Sequence, residues 1–261
     1  MNVHAIEEIA DAAPDSRPVL AIRLGRGRTG GSTFLDFLVQ RTRRKGRMIT
    51  VADGDRDHAT LSEWYPPEES GGALRPRGAE VGDVADWVLE VVSQMAVDQT
   101  SMVLDMGGDD RVLEELAKQM NLSEFCESSG IAPLAIYTLG PDKQDFKDTI
   151  TVYEKGYARC ERSLFVMNES LVASNRSVAG AFDFVMEDAR YQAIENVVQS
   201  VIMPKLGCME AMRNEKLSAY EAAEGQRGAS GRSMTLGQQF VVKTWINEME
   251  KKLARVAEWL P

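Results

Sequence analysis

The chain has 261 residues, 44% of them hydrophobic, and a formal net charge of -10, which suffices for one large domain or two small ones. This acidic balance disfavours wholesale coating of nucleic acid. Three widely spaced cysteines and two histidines argue against a disulfide scaffold, a zinc site and chemistry that needs several histidines.

Nothing in the sequence predicts a membrane protein. No apolar run approaches the roughly 20 residues that span a bilayer, and the acidic N-terminus is unlike a secretory signal. We therefore expect a cytoplasmic protein without a membrane partner. Residues 1–17 are interpreted as a polar tail and residues 18–261 as the folded domain.

Short apolar runs alternate along the chain with segments of helical periodicity. Strands are predicted at about 19–24, 48–53, 101–105, 132–138, 163–167 and 199–203. Helices are predicted between them, and a last helix is expected at about 234–259. This alternation predicts an α/β fold, with a doubly wound, mostly parallel sheet, helices on both faces and a helical C-terminus.

The segment GRGRTGGS, residues 25–32, joins the first predicted strand to the first predicted helix. Its glycine spacing and final serine match a phosphate-binding loop, in which backbone N–H groups surround phosphate and the hydroxyl holds Mg²⁺. Gly31 stands where that loop normally has a lysine, so one positive charge is missing. The alternative is a tight turn that serves packing alone.

Polar residues and a proline mark the ends of the predicted strands. They are Asp53, Asp55, Asp105, Asn168 and Pro204. In a doubly wound sheet these ends meet at one edge, beside the glycine-rich loop. Aspartate after a strand is more commonly a cap or a turn former, but five positions that agree favour a site.

The order and spacing of these segments resemble the ParA/MinD family of deviant Walker ATPases, and within it the TraL/StbB-like plasmid transfer and stability proteins. The family's loop reads K-G-G-x-G-K-[ST]-T, and residues 26–33 read RGRTGGST. VLDMGG is similar to the Walker B strand, and IMPKLGCMEA to the family's proline segment. The resemblance covers about 18–220, implies ATP and Mg²⁺ as cofactors, and implies a homodimer.

The resemblance also implies a role for each matching residue. Arg26 falls on the signature lysine that reaches the partner's nucleotide, and Asp55 on the residue near the hydrolytic water. Ser32, Asp53 and Asp105 are then expected at the metal. The residues expected to bind the nucleotide are Gly25, Gly27, Arg28, Thr29, Gly30, Gly31, Ser32, Thr33, Asn168, which reads adenine, and Pro204, beside the base.

The missing lysine predicts weak or absent hydrolysis. Arg26 or Arg28 could partly replace the lost charge. We expect Gly31→Lys to tighten ATP binding, and we expect the loop to tolerate a side chain there because the matching residue begins a helix with negative φ. Two functions remain open. One is a nucleotide-dependent dimerisation switch in plasmid partition, stability or conjugative transfer, and the other is an adaptor without nucleotide chemistry. A phosphoryl-transfer enzyme is a weaker third possibility, because no acceptor site is evident.

A basic cluster lies at the end of the first predicted helix. Cations there complement the helix dipole, so a solvated helix end is the commoner explanation. The alternative is a non-specific contact with DNA phosphates. The cluster consists of Arg41, Arg43, Arg44, Lys45 and Arg47.

Overall fold

The computed structural model describes residues 16–108 and 110–261, and these fold around one six-stranded sheet in the order β2-β3-β1-β4-β5-β6. All paired neighbours are parallel, which confirms the predicted α/β class. Most of the predicted tail, residues 1–15, lies outside the described residues. The strands are β1 Val19–Leu24, β2 Ile49–Asp53, β3 Ser101–Asp105, β4 Ala132–Leu139, β5 Arg162–Asn168 and β6 Gln199–Met203.

Helices follow the strands as expected. Between β5 and β6, where one helix is expected, the chain forms two short helices within 178–197. The last helix is followed by a 3₁₀ segment, Ala254–Trp259. The helices are α1 Gly31–Arg44, α2 Thr60–Trp64, α3 Val81–Asp98, α4 Arg111–Gln119, α5 Leu122–Ser128, α6 Lys143–Lys155, α7 Asp183–Met186, α8 Ala189–Gln192, α9 Met209–Asn214, α10 Ala219–Ala223 and α11 Leu236–Leu253.

Two hydrophobic cores cover the two faces of the sheet. Helices α3 to α6 bury residues against one face, together with Leu20 and Ile22 of β1. Helices α1, α10 and α11 bury residues against the other, together with Val19 and Ala21. Because side chains alternate along a strand, Arg23 falls on the face that carries α1.

The sheet topology brings three chain segments together at one edge. Strand β1 lies between β3 and β4, so the strand order changes direction beside it, where α/β proteins bind ligands. Arg23 of β1 is in register with Asp105 of β3, and Asp105 is in register with Asp53 of β2. The loop after β1 therefore lies next to the acidic ends of β2 and β3.

Candidate functional site

The loop between β1 and α1 uses left-handed backbone at three positions. Gly25 has a φ of 97°, Arg28 a φ of 65° and Gly30 a φ of 88°. Gly30 is the N-cap of α1 and supplies no side-chain hydrogen bond to the helix. The first amides of a helix have no intrahelical acceptor and attract anions. The N-terminus of α1 is thus suited to phosphate.

Asn168, at the end of β5, holds this loop in place. Its Nδ2 donates to the Thr29 carbonyl at 3.0 Å, and its Oδ1 accepts from the Ser170 N–H at 2.9 Å. A Cβ on Gly30 would lie 2.1 Å from Nδ2, so only glycine fits there. The side-chain amide nitrogen of Asn168 carries two N–H hydrogens, and one of them binds the Thr29 carbonyl. The recognition of adenine by Asn168 remains a prediction.

Ser32, at the start of α1, lies beside Asp105, at the end of β3, and the metal role expected of both residues remains a prediction. The Ser32 hydroxyl donates to Asp105 Oδ2 at 2.6 Å, and the Gly107 N–H donates to Oδ1 at 3.0 Å. Mg²⁺ beside phosphate takes a hydroxyl, one or two carboxylates and waters. Ser32 and Asp105 therefore suit this ion.

Asp53 is buried beside Asp105 but is engaged elsewhere. Its Oδ2 accepts from the N–H and the hydroxyl of Ser62 at 2.8 and 2.9 Å, and Arg75 lies 3.3 Å from Oδ1. Burial raises the pKa of the Asp53 carboxyl. Within residues 16–108 and 110–261, no three side chains of the metal-binding types form a group, so a metal role for Asp53 remains a prediction.

Asp55 shapes the turn that follows β2. Its Oδ1 accepts from the backbone N–H groups of Asp57 and His58, both at 2.9 Å. A Cβ on Gly107 would lie 2.6 Å from the Asp55 carboxyl carbon, which places this carboxylate against the loop after β3. Its expected role at the hydrolytic water remains a prediction.

Gly31 has no room for a side chain, so the expectation of tolerance at this position is wrong. A Cβ built there would lie 2.1 Å from Nε of Arg23 and 2.7 Å from its Cδ and Cγ. The backbone at residue 31 is not the obstacle, since it has no left-handed φ. The arginine of β1 fills the space where the lysine side chain of a phosphate loop would begin.

Arg23 is the residue at this site that sequence reasoning missed. It is only 3% exposed, and its Nη2 donates to the Arg26 carbonyl and to Thr29 Oγ1. Its Nε donates to Thr138 Oγ1 at 3.3 Å, and Nη1 lies 3.6 Å from Asp105 Oδ1. The signal was a lone charge in the apolar run VLAIRL, next to the loop.

The arginines of the loop point elsewhere. Arg26 pairs with Asp145 of α6 at 2.8 Å and lies 4.0 Å from Asp148. Arg28 is exposed. Replacement of the missing charge by either residue, and the reach of Arg26 across a dimer, remain predictions.

The other predicted binding residues lie within the loop, apart from Pro204 at the end of β6. Thr29 Oγ1 lies 2.7 Å from Thr138 Oγ1, and the Thr33 hydroxyl accepts from Arg213. The Pro204 carbonyl accepts from Trp245 Nε1 at 2.8 Å, which ties the end of β6 to α11. Two glycines make close approaches: a Cβ on Gly25 would lie 3.1 Å from the Thr138 carbonyl oxygen, and Gly27 lies against Gly108.

Four of the five residues in the basic cluster at the end of α1 contact other parts of the chain. Arg41 is buried and binds both carboxylate oxygens of Glu250 at 3.0 Å, while Arg44 pairs with Glu224. Arg43 donates to the Gly71 carbonyl at 2.9 Å, and Arg47 to the Pro261 carbonyl at 2.8 Å. These contacts favour a structural role over binding of DNA. None of the described helices combines the length and apolarity of a bilayer span.

Comparisons with known proteins find matches among solved structures. No family model matches the chain, and no curated protein does. FtsY from Elizabethkingia anophelis in complex with GDP is 11% identical, with a TM-score of 0.47, over 91% of this chain and 66% of that one. FtsY from Thermotoga maritima is 12% identical, with a TM-score of 0.47, over 88% and 68%. The septum site-determining protein MinD from Pyrococcus horikoshii, with Mg-ADP, is 18% identical, with a TM-score of 0.45, over 92% and 98%.

Proposed function

We propose that this protein is a nucleotide-dependent switch of the ParA/MinD type that binds ATP with Mg²⁺ at residues 25–33. The observation that carries the proposal is the 2.6 Å hydrogen bond from Ser32 to Asp105. It joins the first turn of α1 to the end of β3, beside the loop whose glycines leave the helix N-terminus without a side-chain cap. A hydroxyl, a carboxylate and free helical amides together suit a metal-bound phosphate.

In this proposal the chain's residues divide the work at the nucleotide. The amides at the start of α1 bind phosphate oxygens. Ser32 and Asp105 hold the ion, and Asp53 lies next to Asp105 on the neighbouring strand. Asn168 and Pro204 lie on the side of the base, and Asp55 orients water. Because residue 31 supplies no cation, hydrolysis is slow or absent.

Titration calorimetry tests binding. Wild-type protein is titrated with ATP and with ADP, each with Mg²⁺ and again with a chelator in excess. We expect saturable binding that weakens when Mg²⁺ is removed and when Ser32 is replaced by alanine. If wild-type protein binds neither nucleotide, the proposal is lost and the adaptor without nucleotide chemistry takes its place.

Dimerisation is the output that we propose for the switch, with a plasmid partition or transfer protein as its partner. Sedimentation velocity with and without ATP measures it. Arg26→Ala is expected to abolish the ATP-dependent association while leaving nucleotide binding intact, because Arg26 is half exposed beside α6. Lys118→Ala, which removes another exposed, ion-paired cation, is the control and is expected to behave like wild type.

A further inference from the structure

We propose that Arg23 is the cation of the phosphate site. From strand β1 it supplies the positive charge that, in other phosphate-binding loops, comes from a lysine at the position of Gly31. This inference rests on the proposed nucleotide binding and deepens it. It makes Gly31 a consequence of Arg23, since the arginine needs the space that a side chain at 31 would fill.

The first argument is steric. The three atoms nearest to a Cβ at Gly31 are Nε, Cδ and Cγ of Arg23. An alanine at residue 23 has none of these atoms. A lysine at 31 and an arginine at 23 therefore compete for one volume. Either residue alone can place a cation inside the loop, and this chain has the arginine.

The second argument is the position of the guanidinium. Its Nη2 donates to the Arg26 carbonyl and to Thr29 Oγ1, both in the loop. The charge is therefore inside the turn that would surround the phosphates. By contrast, Arg26 is paired with Asp145 of α6, and Arg28 is exposed.

The third argument is an incomplete set of partners. A guanidinium has five N–H donors, and Nε and Nη2 are occupied in this structure. Nη1 makes no hydrogen bond to the described residues, and its ion-pair partner, Asp105 Oδ1, is 3.6 Å away. Asp105 in turn accepts from Ser32 and Gly107. Nη1 is therefore the nitrogen of Arg23 that can donate to a phosphate oxygen without giving up a hydrogen bond that it makes in this structure.

Moving the charge between the two positions tests the proposal. Calorimetry with Mg-ATP is run on wild type, Arg23→Ala, Gly31→Lys and the double variant. Loss of a charged hydrogen bond predicts about 10- to 100-fold weaker binding for Arg23→Ala, and Gly31→Lys is expected to bind weakly because Arg23 obstructs the new side chain. The double variant is expected to recover much of the affinity.

A second measurement needs no nucleotide. Gly31→Ala is expected to lower Tm by about 2–8 °C in the wild-type background, as overpacking does, and to have little effect when Arg23 is already alanine. Gly237→Ala is the control, since it changes another glycine in the first turn of a helix, at a position with open space around it. This readout stands even if Arg23→Ala is less stable, because it compares pairs within each background.

The outcomes separate this inference from the proposed function. If wild type does not bind Mg-ATP, the proposed function fails. If wild type binds and Arg23→Ala binds equally well, Arg23 is not the phosphate cation. If Arg23→Ala binds more tightly, the arginine obstructs the loop, and the inference is overturned. Equal effects of Gly31→Ala in both backgrounds would overturn the steric argument.

Discussion

Gly30 offers a quantitative test of how the loop is held. Its φ of 88° and ψ of 16° lie in the left-handed region, which costs an alanine about 1–2 kcal/mol. A Cβ there would also lie 2.1 Å from Asn168 Nδ2, so the buried amide must move and lose its bond to Thr29. That loss adds about 1–2 kcal/mol. We therefore expect Gly30→Ala to reduce the free energy of unfolding by about 2–4 kcal/mol, the sum of the two effects.

Urea denaturation followed by circular dichroism measures this, with Gly130→Ala as the control. Gly130 also has a positive φ, 73°, but has open space where a Cβ would be, so it reports the backbone cost alone. In a background that already carries Asn168→Ala, Gly30→Ala is expected to cost about 1–2 kcal/mol less, because the clash with the Asn168 amide is gone and only the contact with Met203 Cε at 3.2 Å remains. The reasoning is refuted if the two substitutions are additive within about 0.5 kcal/mol, or if Gly30→Ala costs no more than Gly130→Ala.

Two further predictions concern α1. Glu250→Ala removes the charged hydrogen bonds of the buried Arg41 and is expected to cost about 2 kcal/mol, because the Glu250 side chain is itself 37% exposed. Glu224→Ala, which removes the partner of the exposed Arg44, is expected to cost less than about 1 kcal/mol, and equal losses in urea denaturation would contradict the structural role of Arg41. Burial raises the pKa of Asp36 from 3.8 to about 6, so its stabilising contribution is complete below pH 3.8 and is lost as the pH rises through about 6. Asp36→Asn is therefore expected to become more stable relative to wild type between pH 4.5 and pH 7.5, and a difference in unfolding free energy that does not change with pH would contradict this.

The fold could be predicted from the sequence because short local patterns identify its strands and helices. Apolar runs such as SMVLD and APLAIYTL are fully or nearly fully buried strands, and parallel order follows from the helices between them. The helices within 178–197 could not be predicted individually. Each has four residues, which is too short for helical periodicity to show in the sequence.

The candidate site could be predicted only in part. The proximity of Ser32 and Asp105 follows from strand ends that meet at one edge, and their hydrogen bond agrees with it. The pairing of Arg23 with the space at Gly31 could not be predicted, because a motif describes the backbone of the loop and not the side chain beneath it. The contacts of Arg41 with Glu250 likewise depend on α11, which is distant in the sequence.

A crystal structure of the wild-type protein with Mg²⁺ and a non-hydrolysable ATP analogue tests the central claim most directly. We predict phosphate oxygens at the N–H groups that begin α1, the ion beside Ser32 and Asp105, and Arg23 Nη1 within hydrogen-bond distance of a phosphate oxygen. A nucleotide bound away from residues 25–33, or phosphates in the loop without contact to Arg23, would contradict the account.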